Sequence, residues 1–93
     1  MSEFDDRYQA LRRRFVERCR EDLAVLEAAT DGAVEAEALR ATVHRLSGAA
    51  GTFGYPELSR LAGVVDDELI LSGGTSEDPL AALVAAVRVL TRG

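Results

Sequence analysis

Apolar residues recur along the chain at three- and four-residue steps, the spacing that gathers them on one face of an α-helix. Over the first third, Phe4, Tyr8, Leu11, Phe15, Cys19, Leu23 and Leu26 keep this rhythm, with Arg, Glu and Asp between them. The stripe is long and close to heptad spacing, as in helices that pack lengthwise in bundles. A bend or break is expected between Asp5 and Tyr8. Thr30-Asp31-Gly32 closes the segment, its glycine suited to a left-handed position after the helix. A second helix is predicted from about Glu35 to Gly51 or Phe53, with Leu39, Val43, Leu46, Ala50 and Phe53 turned inward. Gly54-Tyr55-Pro56 makes a tight corner, and Pro56 fits the first position of a third helix that ends near Leu71. That helix buries Leu58, Leu61, Ala62, Val65 and Leu69. Ser72-Gly73-Gly74-Thr75-Ser76 reads as a flexible loop. Asp78 reads as the N-cap and Pro79 as the first residue of a last helix, which carries Leu80, Leu83, Val84, Val87 and Leu90. Short connections favour antiparallel neighbours. The prediction is an all-α, antiparallel up-down four-helix bundle forming a single domain over residues 1–93.

Composition agrees with this reading and narrows the chemistry. Of the 93 residues 47% are hydrophobic, enough to fill one core and too many for a disordered tail. Sixteen acids against eleven arginines, with no lysine, leave a net charge of −5. A net acidic domain lacks the basic face that nucleic-acid affinity rests on, so no nucleic-acid partner is expected. Arg12-Arg13-Arg14 reads as a solvated helix face. One cysteine excludes an internal disulfide, and Cys19 with one histidine cannot build a zinc site, so no metal is expected. Cys19 falls in step with the apolar stripe and reads as a buried thiol. The acidic start, Met-Ser-Glu-Phe-Asp-Asp, has no signal-peptide character, and the longest apolar run, Leu80 to Val87, is far short of the ~20 residues a membrane span needs. The expected setting is cytoplasmic, without a membrane partner.

The chemically informative residue is the one histidine, His44. At about 100° per residue, Leu46 and Phe53 lie roughly opposite it, so the imidazole should face solvent from the middle of its helix. Gly48 falls about 40° and Gly51 about 20° from it, with the small residues Ala41 and Ser47 at the border. Each glycine inside a helix costs about 0.5–1 kcal/mol relative to alanine. Two readings fit. The glycines let a neighbouring helix pack closely, or they leave a bare track along which another protein reaches the imidazole. An exposed imidazole is largely neutral near pH 7 and offers a nucleophilic nitrogen. Nothing else legible completes a hydrolytic set, and Glu57, Asp66, Asp67 and Glu68 read as solvated carboxylates. Such a domain would lend a nucleophile and a docking surface while a partner supplies the catalysis. Phosphoryl transfer, which depends on positioning and charge neutralisation, suits that division.

His44-Arg45-Leu46-Ser47-Gly48, followed by Gly54 and Leu58, resembles the signature of histidine-containing phosphotransfer (HPt) domains. The likeness covers about Thr42 to Leu61, and the helix layout agrees along the chain. It implies that His44 accepts a phosphoryl group from an aspartyl phosphate on a response-regulator receiver domain, or from a hybrid histidine kinase, and passes it to another receiver. It also implies that the receiver brings the aspartate and Mg²⁺, that the chain binds no cofactor and is no enzyme itself, and that Gly48 clears room for docking. The family usually has lysine three residues after the histidine, where this chain has Ser47. Arg40, one turn before His44 and about 40° away, is the nearest substitute, with Arg45 about 100° around the helix. Phosphorylation is expected on Nε2, which projects furthest from the helix. A kinase dimerisation helix resembles a pattern with an acid directly after the histidine, and Arg45 stands there instead. The initial Met and the short tail after the last helix favour a free-standing relay protein, and a relay shuttle is most naturally a monomer. The rival of a different class is a chemically silent helical adaptor or dimerisation module.

Overall fold

A computed structural model describes residues 2–92. Four helices follow one another: α1, Glu3–Thr30; α2, Ala36–Thr52; α3, Pro56–Ser72; and α4, Glu77–Thr91. Each packs on its neighbours in sequence, and α4 returns against α1 to close the ring. Tyr8 meets Thr52 while Asp22 meets Arg45, so α1 and α2 run antiparallel. The fold is the expected antiparallel up-down bundle, 46 Å along its long axis.

Local chemistry sets the helix ends. Ser2 caps α1, its hydroxyl accepting from the Asp5 backbone N–H, and Glu3, Asp5 and Asp6 complement the positive end of the helix dipole. With that start secured the helix runs unbroken through Asp5 to Tyr8, where a bend was expected. Gly32 takes the left-handed φ of 70° just after α1. Gly73 does the same at the end of α3, where a β-carbon would be strained. The α4 start differs from expectation. Ser76, not Asp78, is the N-cap, and Pro79 stands in the first turn rather than at its first position. Glu68 causes this shift. Its carboxylate accepts from both the N–H and the hydroxyl of Ser76, fastening the loop to α3 so that α4 begins at Glu77.

The core joins Cys19 and Leu26 of α1, Val43 and Leu46 of α2, Val65 of α3, and Leu83 and Val87 of α4, all fully buried. Burying each Leu or Val is worth about 1.5–3 kcal/mol, which makes this the main stabilising element. Leu61 and Phe53 are only partly buried, at the core's edge. The α1 stripe departs from expectation at its start, where Phe4 is 75% and Leu11 48% exposed. Tyr8 is already level with Thr52, the last residue of α2, so the turn before it overhangs the bundle and leaves Phe4 outside the core, whereas Leu11 lies within the bundle's length at the margin of the core-facing side.

Candidate functional site

The core-facing residues of α2 are Leu39, Val43, Leu46 and Ala50, which places His44 on the outer flank with its side chain 70% exposed. The ring is nonetheless held. Its Nδ1 lies 2.9 Å from Oδ2 of Asp66, a residue of α3 that is only 7% exposed. A carboxylate accepts and cannot donate, so the ring nitrogen facing it carries the proton. Nε2 then keeps its lone pair on the side of the ring away from Asp66. Arg40, half exposed one turn earlier on α2, places its Nε 3.6 Å from Oδ1 of the same carboxylate. That oxygen is buried and has no hydrogen-bond partner. Asp66 is thus anchored by the imidazole and one longer ion pair.

A seam of small residues brings Asp66 this close. The Ser47 hydroxyl donates to the Ser59 carbonyl at 3.0 Å, and the Ser59 hydroxyl donates to the Ser47 carbonyl at 2.8 Å. A β-carbon on Gly63 would sit 3.6 Å from the Ser47 hydroxyl, and one on Gly51 3.5 Å from the Ser59 hydroxyl. Helices joined at that distance let an aspartate, among the shortest acidic side chains, span from α3 to α2. Gly51 therefore lines the helix contact as well as the surface. Gly48 differs: a β-carbon there would meet nothing within 4 Å, so no helix contact explains the glycine. Ala41 and Gly48 lie exposed on either side of the imidazole.

Two residues grouped with His44 by sequence are engaged elsewhere. Arg45 turns to α1, its two terminal nitrogens 2.6 and 3.3 Å from the carboxylate of Asp22, which is 3% exposed. Arg18 stands 3.7 Å from the same group. Ser47 spends its hydroxyl on the α2–α3 seam. Asp66, in contrast, is not the solvated carboxylate its sequence context suggests. It follows Ala62 by four residues and precedes Leu69 by three, both buried, so its place beside the apolar face of α3 was the available signal. The Cys19 thiol is inert, its pKa pushed up to about 12 by burial and then by the charge of Asp22, against a smaller opposing effect of Arg45. Among the described residues no group of three or more His, Cys, Asp or Glu side chains could hold a metal ion.

A protein-family model described as Hpt domain matches residues 10–91. The chain belongs to the Hpt family. Neither a curated protein nor a solved structure matches it. Hpt domains are phosphotransfer modules of two-component signalling, phosphocarriers rather than catalysts in general, which interact with receiver domains and kinases in phosphorelays. The all-α four-helix bundle is the Hpt architecture, and among the described residues no helix is long and apolar enough to cross a membrane.

Proposed function

We propose that the protein is a relay intermediate in which Nε2 of His44 takes a phosphoryl group from a receiver aspartyl phosphate, or from a hybrid kinase, and hands it to a second receiver. The observation that carries this reading is an exposed imidazole whose Nδ1 is held by a buried carboxylate. In the transfer, the Nε2 lone pair forms the N–P bond as the P–O bond to the receiver's aspartate breaks, and that aspartate leaves as a carboxylate. No proton has to move. The Nδ1 proton stays between ring and Asp66, and the positive charge the ring acquires is shared with that carboxylate. The same charge makes the imidazole a good leaving group when the next receiver attacks. Mg²⁺ belongs to the receiver, and this chain supplies nucleophile and docking surface. Arg40 stands nearest to compensate the phosphoryl charge that a lysine at position 47 would otherwise meet, while Ala41 and Gly48 keep the approach low. The reading places the protein in the cytoplasm, working as a single copy.

Incubation with phosphorylated receivers and Mg²⁺ tests it. The wild type should gain acid-labile, base-stable phosphate and His44→Gln should gain none. No label from a panel of receivers would leave a silent helical adaptor as the better account.

A further inference from the structure

Six of the eleven arginines lie between Arg7 and Arg20, where Glu17 is the one acid, so α1 carries a basic segment on an otherwise strongly acidic protein. At about 100° per residue, Phe4, Arg7, Leu11, Arg14 and Arg18 share one flank of that helix. Phe4 and Leu11 are exposed, and Arg7 and Arg14 make no ion pair or hydrogen bond among the described residues. Two contacts fix this flank beside the surface of α2 that bears His44. At one end Arg18, ion-paired with Glu21 at 3.4 Å, also approaches Asp22, which holds Arg45, the residue next to His44. At the other, the Tyr8 hydroxyl donates to the Thr52 carbonyl at 3.4 Å, and the Thr52 hydroxyl donates to the carbonyl of Gly48. The stripe therefore begins level with the imidazole and continues past the end of α2 on the overhanging turns of α1.

We infer that this stripe is a docking rail for the acidic face of the receiver that exchanges phosphate with His44. The inference rests on the relay reading above. A receiver must bring a cluster of carboxylates to hold Mg²⁺ beside its aspartate, so its docking face is negative. Arginines spaced along the flank attract that face over about one Debye length, roughly 8 Å at physiological salt, while Phe4 and Leu11 supply apolar contact. A second copy in parallel register would instead set arginine against arginine. Unpaired arginines beside exposed apolar groups thus serve encounter and partner choice, and the chemical step stays with His44 and Asp66.

The test compares Arg7→Gln/Arg14→Gln with a charge-matched control on the opposite flank, Arg13→Gln/Arg20→Gln, using a receiver charged by a small acyl phosphate. At low ionic strength the stripe variant should lose about tenfold in the second-order transfer rate, the control much less, and the gap should close near 0.5 M salt. The first-order rate at saturating receiver should stay at the wild-type value. Equal rates for the two variants, or a deficit indifferent to salt, would overturn the rail while leaving the relay standing. A wild-type dimer dispersed by Leu11→Ser, or binding to anionic vesicles lost in the stripe variant, would assign the stripe to another occupant and overturn it too. No phosphate uptake by the wild type would end the relay reading and the rail with it.

Discussion

Replacing Asp66 by asparagine removes one negative charge from beneath the imidazole while keeping size and an oxygen that can still accept from Nδ1. The carboxylate lies 2.9 Å from Nδ1 and is 7% exposed, so water does little to screen it. A hydrogen bond to a charged group contributes about 1.5–3 kcal/mol. The neutral ring also makes this bond, so the difference between neutral and phosphorylated states is part of that figure, about 1–2 kcal/mol, or about 5- to 30-fold. Asp66→Asn should therefore slow phosphoryl transfer to His44 by that factor and lower the phosphohistidine level at equilibrium. Asp66→Ala, which also frees the ring to turn, should lose more. Single-turnover quench-flow from a phosphorylated receiver measures the rate, and far-UV circular dichroism with a thermal melt confirms that the bundle is intact. A folded Asp66→Asn protein that transfers within twofold of wild type would refute the argument that this carboxylate supports the charge on the ring.

Other outcomes follow from the same geometry. Gly48→Ala should stabilise the fold by about 0.5–1 kcal/mol in urea titrations, because a β-carbon there meets nothing, whereas Gly48→Leu should fold equally well and transfer poorly. Arg45→Ala strands the buried Asp22 carboxylate with only Arg18 at 3.7 Å. Discounted for the 39% exposure of Arg45, the loss should be about 2 kcal/mol by denaturant titration with transfer chemistry largely kept. Ser47→Lys, which introduces the lysine usual at this position, should lower the melting temperature, since it removes the Ser47 hydroxyl's bond to the Ser59 carbonyl and sets a longer side chain against Gly63. Native Cys19 should resist alkylation at pH 8, its thiol being buried and shifted up to about 12, and should react once the protein is unfolded.

The bundle was legible in the sequence because apolar spacing and the glycines at positions 32 and 73 act locally, each marking a face or an end without reference to the rest of the chain. The exposure of His44 was legible for the same reason, since its place opposite Leu46 is a property of one helix. What escaped was pairing between helices. Asp66 and Arg45 are charged residues at the margins of apolar stripes, and from one helix alone either could turn to water. Their partners, His44 and Asp22, lie 22 and 23 residues away, and only the packed bundle shows which carboxylate each side chain meets. The α4 cap escaped for a similar reason: Asp78-Pro79 is a sound local start signal, overridden by a carboxylate eight residues before Ser76. The overhang of α1 depends on where α2 stops relative to it, so Phe4 kept the rhythm of a core stripe without a core to enter.

Nitrogen-15 NMR of the phosphorylated wild-type protein tests the central claim most directly, because it reports both the bonded nitrogen and the fate of the other. Phosphate on Nε2 of His44, with a proton retained on Nδ1 toward Asp66, is the predicted result. Phosphate on Nδ1, or an Nδ1 that is bare of its proton in the phosphorylated protein, would contradict it.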